Sequence, residues 1–327
     1  MLKKKKIKIK IICTLGPKSI NRPFLKFSNH NINLLRLNMS HLTINQLIKS
    51  IKFIRKYSKT PICIDTEGAQ IRTKVKKEKF LRVGQSVKIS NSQGKVLLYP
   101  ENVFDQLKIN DILIVGFSNL VLKVIKKADN IQCKVISDGK IQNNQGVHVD
   151  NRKIKLNFLT KKDFKAIEIG KKFNINYFAL SFTNSVQDII KFSRLLKNKN
   201  KIFKIETSRS VKNFRSMLRK GDCFLIDRGD LSKEVKIENI PIVQRKLFKL
   251  KRKFKNKKIY VATNLLDSML VDSYPNRGEA NDIYNSLEMG ASGLVLAAET
   301  AISKYPENAV RFLQKMIKTF NKFKVNI

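Results

Sequence analysis

The chain is short of acid, of paired cysteine and of histidine, and it has no long apolar run. Across 327 residues, 25 Asp and Glu face 67 Lys and Arg, a formal charge of +42. Cys13, Cys63, Cys133 and Cys223 lie far apart and none belongs to a C-x-x-C pair. That spacing excludes a disulfide framework and a cysteine zinc site, and it suits a reducing compartment. The three histidines show no ligand spacing, so no histidine-based metal centre is expected. No apolar run approaches the roughly 18 residues a membrane-crossing helix requires. The first ten residues alternate Lys with Ile and lack the apolar core of a secretory signal. The expectation is a soluble, cytoplasmic globular protein with no membrane partner. Hydrophobic residues make up 42% of the chain, enough for a sizeable core.

The basic excess has a compositional explanation. Lys, Asn and Ile dominate throughout, as A/T-rich codons would give, and the lysines are spread over Lys3–Lys6, Lys76–Lys79 and Lys251–Lys258. Aromatics do not interleave with them, so no specific nucleic-acid partner is expected, only weak, salt-sensitive association. The same charge draws anionic substrates towards any cleft.

Short, near-continuously apolar runs alternate with segments of helical spacing. The runs are Lys8–Leu15, Asn33–Asn38, Pro61–Thr66, Tyr177–Phe182, Lys201–Glu206, Cys223–Arg228, Lys258–Thr263 and Gly293–Ala298. Runs of this kind read as strands buried on both faces. Helical segments follow over Thr43–Tyr57, Thr160–Phe173, Ser185–Leu196, Ser210–Leu218, Ile240–Phe254, Gly278–Met289 and Glu307–Phe320. Eight strand-then-helix units make the expected fold α/β, a (β/α)8 TIM barrel. From about Thr73 to Leu156 the rhythm turns to short strands broken by Asn91, Gly94, Asp129–Asn130 and Asp138–Gly139. The expected organisation is a barrel over residues 1–73 and 156–327 with a small all-β domain, 74–155, inserted after barrel strand 3. An insertion there leaves from the catalytic face and is expected to serve as a lid.

Polar residues gather where those strands end, the catalytic face of such a barrel. Arg36, Asn38, Ser40 and His41 follow the second strand, and Asp65, Thr66 and Arg72 the third. Lys204 and Glu206 end the fifth, Asp227 to Asp230 the sixth, Thr263 and Asn264 the seventh, and Glu299 the eighth. Carboxylates and cations converging on one mouth suggest a metal-bound anion.

The stretches ICTLGP, NLLRLNMSH, ICIDTEGAQIRT, FKIE, DRGDL, YVATNLLDSM, EANDIYN and AAETAISKYP occur in order, each at a strand end. With them the chain resembles the pyruvate kinase family from about Lys8 to Phe320. The resemblance implies transfer of a phosphoryl group from phosphoenolpyruvate to ADP, giving pyruvate and ATP, the last step of glycolysis. Glu206 and Asp230 match the family's Mg2+ ligands. Lys204 matches the lysine that stabilises the transferring phosphoryl and the enolate, and Arg36 the arginine on the phosphate. The backbone at Gly229 and Asp230 resembles the site for the substrate carboxylate. Thr263 matches the threonine near the carbon that gains a proton. Asn38, Ser40, Asp65 and Thr66 match the K+ ligands, and Asn38, His41 and Arg72 match positions near the nucleotide phosphates.

Each match has a plainer reading. Glu206 and Asp230 could form structural ion pairs, Arg36 could brace the mouth, Thr263 could satisfy a strand end and His41 could pack at a helix start. Glu299 is read as structural, and the cysteines as buried apolar thiols. The chain also departs from the family pattern. Asp227 stands in place of alanine in A-R-G-D, as a third carboxylate that either binds cation or repels the anionic substrate. Directed into the metal site it would favour altered chemistry. Gln70 replaces the acid linked to K+ dependence, and Ala297, Ala298, Glu299 and Thr300 replace S-G-E-S. The family's C-terminal α/β domain is not in this sequence, so sugar-phosphate control there is not expected, and a homo-oligomer remains open. Three competing functions follow: a non-catalytic binder of phosphoenolpyruvate or nucleotide, another phosphoenolpyruvate- or pyruvate-handling barrel enzyme such as an aldolase, and a charge-driven nucleic-acid binder.

Overall fold

The computed structural model describes residues 8–116, 120–150 and 152–323. The chain divides into two compact units, one formed by the residues up to Glu67 together with those from Lys161 onward, the other by Gly68–Thr160. The first unit is a closed barrel of eight parallel strands: β1 (Lys10–Thr14), β2 (Leu34–Asn38), β3 (Ile62–Asp65), β4 (Tyr177–Leu180), β5 (Asn200–Ile205), β6 (Cys223–Asp227), β7 (Lys258–Ala262) and β8 (Gly293–Leu296). Each strand pairs with its sequence neighbours, and β8 closes on β1 through Lys10↔Gly293 and Cys13↔Leu296. The crossover helices are α1 (Arg22–Asn31), α2 (Ile44–Tyr57), α3 (Lys161–Lys172), α4 (Val186–Leu195), α5 (Ser208–Leu218), α6 (Ile240–Arg252), α7 (Arg277–Met289) and α8 (Pro306–Phe323).

Local chemistry fixes where these helices begin. Thr43 and Gln46 form a reciprocal capping box at α2, and Asn276 and Glu279 form one at α7. The sequence reading leaves the segment between β1 and β2 without a helix, and α1 stands there. Its start is signalled by Asn21, whose side chain accepts from the Phe24 N–H at 3.0 Å, and by Pro23 in the first turn.

Side chains alternate between the two faces of each strand. One set fills the barrel: Ile12, Leu34, Cys63, Ala179, Ile202, Leu225, Tyr260, Ala262 and Val295 form a single buried cluster. The other set meets the helices. Phe224 of β6 stacks edge-on against Phe214 of α5 at 5.1 Å, and Phe203 of β5 meets Phe192 of α4 at 6.2 Å. On α3, a Cβ at Gly170 would lie 2.7 Å from both Ile64 and the Phe178 ring, so glycine is what lets that helix approach the strands.

Among the described residues, the Gly68–Thr160 unit holds nine strands and the one-turn helix Val103–Gln106. Seven strands close in the order 130–137, 86–90, 96–99, 71–75, 146–149, 112–115, 120–127. Its core includes Ile89, Leu113, Leu122, Val124, Ile131 and Val135. The unit's limits, 68 and 160, compare with the 74 and 155 read from the sequence. Three of the cysteines are buried and none is bonded to another, and burial pushes all four thiols up, Cys133 to about 12 and Cys223 to about 11. No helix among the described residues is long and apolar enough to cross a membrane.

Phe224 is fully buried between strand and helix layers, so Phe224→Ala should cost about 3–5 kcal/mol. A lower midpoint in urea-induced unfolding, with an unchanged denaturant slope, is the expected result.

Candidate active site

Two residues beyond the apolar barrel plug, on the same face of each strand, the inward-facing residues become polar. Ile12 gives way to Thr14, Leu34 to Arg36, Cys63 to Asp65, Ala179 to Ser181, Ile202 to Lys204 and Leu225 to Asp227. All of these polar residues are buried. They form one connected network at the carboxyl end of the barrel.

Asp65 is its hub. Its Oδ2 accepts from Arg36 Nε at 2.7 Å and stands 2.5 Å from Arg36 Nη2 and 3.4 Å from Lys204 Nζ. Its Oδ1 accepts from Ser181 Oγ at 3.2 Å. Arg36 also donates to Thr14 Oγ1 at 2.8 Å. Lys204 Nζ lies 2.7 Å from Glu206, 3.1 Å from Asp227 and 3.3 Å from Ser181 Oγ. Burial works against a charge on Lys204, but Asp65, Glu206 and Asp227 outweigh it, so its pKa is raised and the ammonium is held charged.

Glu206 has the opposite balance. Burial pushes its carboxyl up, Lys204 pulls it down, and Asp230 and Asp227 push it further up. Its Oε2 accepts from the Phe182 N–H at 2.5 Å, and Phe182 adopts a left-handed φ of 51° to present that group. Its Oε1 is buried and pairs with the Lys204 ammonium at 2.7 Å. Glu206, Asp227 and Asp230 bring carboxylate oxygens within 4.8 Å of one another. Like charges that close repel by roughly 3–4 kcal/mol per pair at an effective dielectric near 20. Three carboxylates this close offer a set of hard oxygen donors, which fits Mg2+. Asp230 is the partly exposed member, 2.6 Å from Lys233 Nζ.

Asp227, at the end of β6, thus faces inward, onto both Lys204 and the acidic set. The short helix that follows, Arg228–Leu231, is locked to β7. Arg228 forks onto Asp282 of α7 at 2.6 and 2.8 Å and donates to the Thr263 carbonyl at 2.7 Å. Those bonds hold Thr263 at a φ of 72°, which a β-branched residue rarely adopts. Thr263 Oγ1 accepts from the Gly229 N–H at 2.8 Å, so that amide already has a partner within the protein. Arg228 carries no assigned role in the sequence reading. Thr14 and Ser181 are missing from it as well, although counting two residues on from the apolar plug finds both.

The other expected residues divide. Asn38 is in register with Asp65, and its Oδ1 accepts from the Ser40 N–H at 3.0 Å. Thr66 Oγ1 accepts from the Ser181 N–H at 3.1 Å. Arg36 and Lys204 already balance Asp65, one of the four residues matched to K+. The His41 N–H donates to the Asn38 carbonyl. Arg72 belongs to the Gly68–Thr160 unit, where Nη1 reaches the Asn144 carbonyl at 3.3 Å. Glu299 accepts from the N–H groups of Leu265, Leu266 and Ala297, which is a structural role.

A closed parallel barrel whose carboxyl-end mouth gathers a charged lysine, an arginine and a set of carboxylates has the layout of a barrel enzyme. The family model for the pyruvate kinase barrel domain matches residues 6–310. A pyruvate kinase of Thermotoga maritima is 32% identical over 96% of this chain and 71% of its own length. One of Methanocaldococcus jannaschii is 32% identical over 95% and 69%, and plastidial pyruvate kinase 3 of Arabidopsis thaliana is 31% identical over 94% and 57%. The chain belongs to the pyruvate kinase family and is an enzyme of that family.

Because Asp65 alone joins both buried cations, Asp65→Ala should leave Arg36 and Lys204 poorly compensated and cost about 3–5 kcal/mol. Calorimetric melting should show the loss, and Asp65→Asn should fall between the variant and wild type.

Proposed function

We propose that this chain transfers the phosphoryl group of phosphoenolpyruvate to ADP with the residues at the barrel mouth in distinct roles. The observation that carries the proposal is the convergence of Lys204, Glu206 and Asp230 at the ends of β5 and β6. Glu206 and Asp230 would hold Mg2+, which would supply charge neutralisation to the anionic substrate. Lys204 stays protonated and offers a fixed positive charge where negative charge develops, and a preorganised group of this kind is worth several kcal/mol. Arg36, rigidly oriented by Asp65 and Thr14, presents its guanidinium to the phosphate. Thr263, fixed by Arg228, sets its hydroxyl near the carbon that takes up a proton. Gly229 and Asp230 border the substrate carboxylate, and Asn38, His41 and Arg72 serve the nucleotide phosphates. The 68–160 segment is read as the inserted β domain, and the cytoplasm as the compartment.

One observation favours a second reading, ligand binding without turnover: Asp227 competes for Lys204. Calorimetry that detects phosphoenolpyruvate with no product in the assay would select it over the first.

An assay coupled to pyruvate formation, with phosphoenolpyruvate, ADP and Mg2+, should show turnover. Lys204→Met should lower kcat by at least about a hundredfold in folded protein, and unchanged turnover would remove the lysine from the mechanism. Replacing K+ with tetramethylammonium should leave the rate unaltered, because Gln70 replaces the acid and Asp65 is already charge-balanced.

A further inference from the structure

The strand-end residue Asp227 is the one carboxylate at the barrel mouth that the family motif does not explain. It is 4% exposed, as buried as the groups around it. Its Oδ2 lies 3.1 Å from Lys204 Nζ, and a carboxylate oxygen lies within 4.8 Å of those of both Glu206 and Asp230. Lys204 is shared among Asp65, Glu206 and Asp227, and Lys233 is taken by Asp230. Glu206 Oε1 is buried among these acids, with Lys204 Nζ 2.7 Å away. A divalent cation at this place would screen the three acids from one another.

We propose that Asp227 is a third carboxylate ligand, so that this site binds a divalent cation before any substrate arrives. The proposal rests on the reading that Glu206 and Asp230 hold the metal. Two carboxylates depend on substrate oxygens to complete a hard-cation shell, whereas three supply half of a six-coordinate shell by themselves. Asp227 then alternates between partners: it is a counter-ion of Lys204 while the cation is absent, and it releases the ammonium for the substrate once the cation is held.

The test is calorimetric titration of Mn2+ into the intact, substrate-free protein, together with the rise in melting temperature that Mn2+ causes. Wild type should bind one ion and be stabilised by it. Loss of groups that merely support metal ligands costs roughly 10–100-fold in affinity, so Asp227→Ala should weaken Mn2+ by at least about tenfold. Asp227→Asn, which keeps the shape and removes the charge, should do the same and guards against a folding defect. If both variants bind Mn2+ as wild type does while Glu206→Gln weakens it, Asp227 is only a counter-ion of Lys204, and the proposal fails with the metal site intact. If Glu206→Gln leaves Mn2+ affinity unchanged, the metal reading itself fails and this proposal with it.

Discussion

The barrel mouth depends on one buried carboxylate. Asp65 is fully inaccessible, yet it holds the Arg36 guanidinium and approaches the Lys204 ammonium through a single oxygen. Burying an ion is costly unless opposite charges and hydrogen bonds surround it. Here two cations and the Ser181 hydroxyl do so, and each cation is oriented in return. Arg36 gains a second anchor in Thr14, and Lys204 extends to Glu206 and Asp227. Stability and positioning therefore come from the same contacts.

The acidic side of the site is less settled electrostatically. Glu206, Asp227 and Asp230 approach closely enough to repel. Strain of this kind belongs where a ligand is to be bound, since the fold holds the groups together against their repulsion. The protein's large positive charge lies mostly elsewhere. The many lysines attract anionic molecules from a distance.

A second set of contacts stiffens the rim between β6 and β7. Arg228 binds Asp282 on α7 and the carbonyl of Thr263, tying the DRGD, YVATN and EANDIYN stretches into one unit. Thr263 keeps an unfavourable backbone conformation because these bonds and its contact with Gly229 over-determine it. The sequence shows that all three stretches sit near strand or helix ends, but their mutual grip depends on loop geometry.

Much of the architecture was legible before any coordinates. A strand covered on both faces must be apolar along its length, so the eight runs stood out, and the capped, amphipathic segments between them marked helices α2 to α8. Helix α1 was not, because its mostly polar composition hides the helical stripe and only Asn21 and Pro23 announce it. Arg36, Asp65, Lys204, Glu206 and Asp230 were named from chemistry at strand ends. Thr14 and Ser181 were not, since a hydroxyl carries no signal until strand register makes it a neighbour of Asp65. The direction of Asp227 was likewise undetermined by its sequence. Local chemistry dictates which residues form strands and where helices start. Which buried charges meet is decided by closure of the barrel, because only the staggered pairing of eight strands sets residues more than a hundred positions apart at hydrogen-bond distance.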